Sequence, residues 1–168
     1  MKGNKHMKTL TNIIYPAFAL LAVACFGLLP APKAFGVVPA PDGGYPGGNT
    51  AEGHDALFSL DTSQGGANTA IGFDALYNNT TSSDNTAAGS EALYSNTTGV
   101  GNTATGTQAL FSNATGDNNT ATGVSALTGN TTGSSNTAIG LAALANNTAG
   151  SSNIALGLSA GSHLTTGS

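Results

Sequence analysis

The chain has 168 residues, eight acids against four Lys and Arg, a formal net charge of −4 and only 7% charged residues. All four cations are lysines, at Lys2, Lys5, Lys8 and Lys33, so nothing from residue 34 onward can neutralise a phosphate backbone, and nucleic acid is excluded as a partner. The only cysteine, Cys25, lies in the N-terminal segment, which leaves the rest of the chain without a disulfide framework or a thiolate metal site.

The first 36 residues have the layout of a secretory signal peptide. Lys2, Lys5 and Lys8 precede an apolar stretch from Ile13 to Leu29, and Ala34-Phe35-Gly36 supplies small residues where a signal peptidase reads, placing cleavage after Gly36. The apolar stretch is nearly long enough for an uncleaved membrane anchor, but Pro16, Pro30 and Pro32 argue against an intact spanning helix. Ala22-Val23-Ala24-Cys25 loosely resembles a lipoprotein box. Ala22 stands where a larger aliphatic is usual, and the apolar run continues past Cys25, which we therefore assign to the signal segment. Residues 37–48, with Pro39, Pro41, Pro46 and four glycines, read as a flexible, unpacked Pro/Gly connector.

From residue 49 onward one pattern fills the chain. A unit close to Asn-Thr-Ala-x-Gly-x-x-Ala-Leu-x-x-Asn-Thr-Thr-Gly-x-x opens at Asn68, Asn85, Asn102, Asn119, Asn136 and Asn153, always 17 residues apart; an earlier copy at Asn49 runs 19. A short fixed period means that no unit can bury its own apolar side, so neighbours must stack. Seventeen residues with Gly and Asn at both ends leave no room for a helical pair. The expected fold is all-β: a parallel β-solenoid (β-roll) with one coil per 17-residue repeat, about seven repeats over residues 49–168. The last unit is atypical, with Gly161 for the core Leu and Leu164 for the turn Asn; it stops inside its period at Ser168, which reads as a fragment of a longer protein or, alternatively, as a natural cap.

Within a unit, Asn-Thr-Ala-x-Gly predicts a short strand stopped by the glycine, Ala-Leu a second extended or turn segment, and Asn-Thr-Thr-Gly the return turn. The Asn and Gly residues are expected at the corners because both tolerate left-handed backbone. Leu57, Leu76, Leu93, Leu110, Leu127 and Leu144 should form the internal ladder, flanked by one alanine row from Ala51 to Ala155 and another from Ala56 to Ala160. So few core side chains imply a thin coil, marginal as a monomer. Thr50, Thr69, Thr86, Thr103, Thr120 and Thr137 then share an outer face with Ile71, Ala88, Thr105, Thr122, Ile139 and Leu156. Two uses of that face stand open: packing against other subunits, or exposure as a flat Thr-rich array that orders water.

No catalytic constellation emerges, and no enzyme or cofactor is expected: outside the signal segment only His54 and His163 occur, near opposite ends of the array, and neither marks a triad or a zinc site. Asp55, Asp74 and Glu91 share one repeat position, which reads as a solvated acidic edge rather than a Ca²⁺ site, since the series fails at Gln108. Phe58, Tyr77, Tyr94 and Phe111 form an aromatic series one residue after the core Leu. Such a row either reinforces the coil ladder or offers a ligand platform; as a ligand face the candidates are Tyr77, Tyr94 and Phe111.

Asn-Thr-Ala-Ile-Gly at Asn68 and Asn136, followed by ALYNNTT and ALANNTA, resembles the YadA-like head repeats of trimeric autotransporter adhesins. It is equally similar to the repeats ahead of intramolecular-chaperone tails in phage-fibre-like bacterial surface proteins. The resemblance covers residues 49–168 and implies a homotrimer of parallel β-rolls. It further implies a non-enzymatic protein, secreted or held at the bacterial cell surface, acting in virulence-type adhesion to a host or matrix protein or glycan, or as a fibre or head spacer, with no membrane contact by the mature repeats. An ice-binding solenoid and a purely structural spacer are the alternatives.

Overall fold

The computed structural model describes residues 46–167, so the expected signal peptide and the connector ahead of Pro46 lie outside the described residues. Seven three-residue strands, β1 (Thr50–Glu52), β2 (Thr69–Ile71), β3 (Thr86–Ala88), β4 (Thr103–Thr105), β5 (Thr120–Thr122), β6 (Thr137–Ile139) and β7 (Ile154–Leu156), pair in chain order in one parallel sheet. Each residue lies beside its own copy in the next coil, as in Ala87 beside Ala104 and Thr103 beside Thr120. The result is an all-β parallel solenoid with one coil per repeat. Among the described residues no helix is long and apolar enough to cross a membrane.

The strands form where Thr and a small apolar residue alternate. The central Ala of every strand is buried, while the residues on either side of it point outward, exposed or half-buried. Each strand ends at a glycine whose backbone an L-residue adopts badly. At Gly106 φ is +128°, and an added Cβ would lie 2.7 Å from the Gly123 carbonyl carbon and oxygen of the next coil.

Beyond the glycine the chain turns rather than extends, yet the hydrogen bonds between coils continue. Leu93 N–H donates to Ala109 O at 3.0 Å, Ser95 N–H to Phe111 O at 3.0 Å and Thr97 N–H to Ala114 O at 3.0 Å, while Gln108 N–H donates back to Ser90 O at 2.9 Å. Leu76, Leu93, Leu110, Leu127 and Leu144 are fully buried and the two alanine rows pack beside them, as expected; Ala160, in the last coil, is only partly buried. The core Leu itself is left-handed, with φ between 51° and 54° from Leu57 to Leu144, and so is the residue two before it. An L-residue pays roughly 1–2 kcal/mol for that conformation. The backbone needs the tight reversal here, and Leu occupies it because the same reversal drives its side chain inward.

That corrects the reading of the asparagines. They do not mark the corners through left-handed backbone: among the described Asn residues only Asn118 has positive φ. Asn49, Asn68, Asn85, Asn102, Asn119 and Asn136 instead turn their side chains into the coil, where all are buried. Asn102 Nδ2 donates to Asn85 Oδ1 at 3.2 Å and to Gly116 O at 2.8 Å, while Asn102 Oδ1 accepts from Asn119 N–H at 3.0 Å and Asn119 Nδ2 at 3.1 Å. A second buried ladder runs through Asn79, Asn96, Asn113, Asn130 and Asn147, with links such as Asn113 Nδ2 to Asn96 Oδ1 at 2.9 Å. The two ladders meet at glycine carbonyls: Gly116 O accepts from both Asn102 and Asn113. Ser82 replaces that glycine in one coil and puts its hydroxyl between the ladders, in contact with Asn79, Asn85 and Asn96. The interior therefore combines an apolar ladder with two amide ladders.

The ends break this pattern in matching ways. Leu60 and Leu164 stand where the second ladder would place its next Asn, one before Asn79 and one after Asn147. Asn147 Oδ1 is consequently buried without a partner. The two extra residues of the first unit loop out beyond Asp61, whose carboxylate accepts from Ser63 N–H at 3.0 Å, Ser63 Oγ at 2.7 Å and Gln64 Nε2 at 3.3 Å. Those bonds hold the Asp61 carboxyl below its usual range. The end of the connector is already pinned rather than unpacked: Pro46 O accepts from Asn49 Nδ2 at 2.7 Å and Gly47 O from Ala67 N–H at 2.8 Å.

Candidate functional site

Three surface features could carry function, and each is a row created by stacking. The first is the outer face of the sheet. Thr103, Thr105, Thr120 and Thr122 form a two-by-two hydroxyl block on β4 and β5, half-buried in the first column and exposed in the second. Toward the C-terminal coils the face becomes apolar: Ile139 is 44% exposed, Ile154 77% and Leu156 65%. Val124, Leu141 and Leu158, which follow the strand-ending glycines, are also exposed. No acid, Lys or Arg occurs between Asn118 and Ser168.

The second feature is the aromatic row. Phe58, Tyr77, Tyr94 and Phe111 stack in succession, with ring centroids 5.0, 5.3 and 5.2 Å apart and planes within 11° of parallel. The coil rise sets that spacing, since neighbouring rungs of a sheet lie about 4.8 Å apart. Tyr77, Tyr94 and Phe111 are therefore brought together as their spacing requires, but they are half-buried and their faces cover one another. A sugar or second aromatic cannot enter between rings so close; it meets the row along ring edges or at its ends, Phe58 and Phe111.

The third feature lies at the N-terminal coils. Asp55 and Asp74 occupy equivalent positions in adjacent coils, and Asp74 N–H donates to His54 O at 2.9 Å. His54 Nδ1 lies 3.1 Å from Asp55 Oδ2, and its ring stacks on Phe73 with centroids 5.6 Å apart. One donor atom from each of His54, Asp55 and Asp74 falls within 4.8 Å of the others. Burial, followed by the Asp55 charge, pushes the Asp74 carboxyl above its ordinary value; nearby His54 opposes this and Glu91 adds to it. Glu91 in turn accepts from Gln108 Nε2 at 2.8 Å. The acidic series was legible from the period, but His54 was missed as its neighbour. The signal available was the 19-residue first unit, which sets His54 over Phe73 and Asp55 over Asp74. His163 stands in the last coil and joins no such group.

No family model, curated protein or solved structure matches this chain.

Proposed function

We propose that this chain is an exported surface protein whose solenoid acts as an adhesive head or fibre spacer, without enzymatic activity, and that it works as a homotrimer joined through the outer face of its sheet. The observation that carries the reading is the apolar run along that side: Val124, Ile139 and Leu141, each with a coil on either side, are 44 to 53% exposed on a surface with no neighbouring Lys, Arg or acid. A contiguous exposed apolar patch is a liability in a monomer and is ordinary in an interface core. Thr rows on the coils from β2 onward extend a flat surface that a second β-roll can meet without charge repulsion, Glu52 on β1 being the one charged residue on the strands' outer face. The resemblance to trimeric adhesin head repeats supports the same assembly, and the Lys-rich start followed by an apolar stretch supports export.

Light scattering of the purified protein tests the assembly. The expected mass is three chains, falling to one in Leu156→Asp or Ile139→Asp. A wild-type monomer refutes the trimer. N-terminal sequencing of the secreted product tests export, with Val37 expected as the first residue; a product retaining Met1 or Met7 refutes cleavage.

A second reading rests on the hydroxyl block of Thr103, Thr105, Thr120 and Thr122, a regular array on a flat sheet of the kind that orders water at an ice surface. Thermal hysteresis measured on the same sample separates the two: a monomer that arrests ice growth replaces the adhesin reading. A monomer without hysteresis leaves the solenoid as a structural spacer.

A further inference from the structure

We propose that His54, Asp55 and Asp74 form a site for one divalent transition-metal ion, with Zn²⁺ as the probe ion, bridging the first two coils of the solenoid. The donor set comes first. An imidazole nitrogen and two carboxylates, one donor atom each, lie within 4.8 Å of one another, and they come from two coils rather than from one loop. Zn²⁺ takes His nitrogen and Asp oxygen at about 2.0–2.2 Å, so small rotations about the side-chain bonds of the exposed His54 and half-buried Asp55 bring the set onto one ion, with water completing the shell. The imidazole selects against Ca²⁺, which takes oxygen donors.

Two further observations support a cation here. The His54 ring stacks on Phe73 with an interplanar angle of 18°, and its Nδ1 lies 3.1 Å from Asp55 Oδ2. Charge balance is the other. Like charges facing each other on adjacent rungs are destabilising, and here Asp55, Asp74 and Glu91 follow in three successive coils. Every Lys lies before residue 34 and the chain has no Arg, so no Lys or Arg of the repeats can offset them. A bound dication removes that repulsion and ties the N-terminal coil, with its 19-residue loop, to the second.

Isothermal titration of the intact chain with ZnCl₂ tests the site, with EDTA reversal and with thermal melts at and without saturating metal. His6, Cys25 and His163 are further donors in the sequence, so the assignment rests on differences between variants. The expected result is one Zn²⁺ per chain bound at this site. Its affinity falls at least tenfold in both His54→Ala and Asp74→Asn and is unchanged in His163→Ala, and added Zn²⁺ raises the melting temperature of wild type but not of those two variants. Circular dichroism of each variant confirms folding, which the surface positions of both residues favour. Undiminished affinity in either His54→Ala or Asp74→Asn overturns the proposal. So does a wild-type chain that binds Ca²⁺ as tightly as Zn²⁺ and keeps that binding in His54→Ala, because the imidazole then takes no part.

Discussion

Replacing Asn102 removes four side-chain hydrogen bonds at one rung of the buried amide ladder: two donated by Nδ2, to Asn85 Oδ1 and Gly116 O, and two accepted by Oδ1 from Asn119. Three of the four former partners keep another bond. Asn85 Oδ1 still accepts from the residue-102 N–H, Gly116 O from Asn113 and Asn119 Nδ2 still donates to Gly133 O. The Asn119 N–H keeps none and is left buried and unpaired. At about 0.5–1.5 kcal/mol per bond, Asn102→Ala should cost about 2–6 kcal/mol. Asn102→Asp is nearly isosteric and preserves both accepted bonds, yet it loses both donated ones and buries a charge with no cation near it, which costs several kcal/mol. Thr115→Ala, at an exposed site with no side-chain hydrogen bond, should stay within about 0.5 kcal/mol of wild type. Urea denaturation followed by circular dichroism measures all three. If Asn102→Asp melts with wild type, the amides merely fill space and the ladder is not what holds the coils in register.

Further expectations follow from the ends, the corners and the acids. Leu164→Asn supplies the missing donor to Asn147 Oδ1 and should raise stability by about 1–3 kcal/mol; no gain in the urea midpoint would mean that the orphaned oxygen costs nothing. Gly106→Ala places a methyl 2.7 Å from the Gly123 backbone at a φ of +128° and should unfold the neighbouring coils, seen as lost strand signal at room temperature. The raised Asp74 pKa favours the folded state while the carboxyl is protonated, so its contribution is present at low pH and fades as pH rises through the folded value. With EDTA present, Asp74→Asn should therefore melt above wild type at pH 7, with the gap closing toward pH 3; a gap constant across that range refutes the assignment. Asp61 runs the opposite way, its stabilising bonds being lost as pH falls through its lowered value.

What the sequence conveyed, it conveyed through period. Coil length, the strand at Thr-Ala-x, the glycine stop and the Leu and Ala ladders all follow from asking which residues return every 17 positions. The same question returned Asn with equal regularity, but Asn is polar and common in turns, so local propensity assigned it to corners. Tertiary stacking overrides that propensity, because an amide placed over its own copy finds both a donor and an acceptor and can be buried without loss. The positive φ of the core Leu was likewise illegible, since nothing in Leu itself favours the left-handed region. The surface was read less completely than the core. The aromatic row and its stacking into the coil ladder followed from the spacing, whereas how far each ring covers the next did not, and His54 escaped because the 19-residue unit carries it.

Because each rung's partners are the copies of itself above and below, the array has no privileged middle. Excising residues 102–118 would let Asn119 donate to Asn85 Oδ1 as Asn102 does now, and a duplicated unit would slide in on identical terms. A gain or loss of one unit in the gene is then nearly silent to the fold and changes only reach, by about 4.8 Å per coil. Length variants of such a molecule would differ by whole coils, each new end meeting the same rung chemistry as the one it replaces.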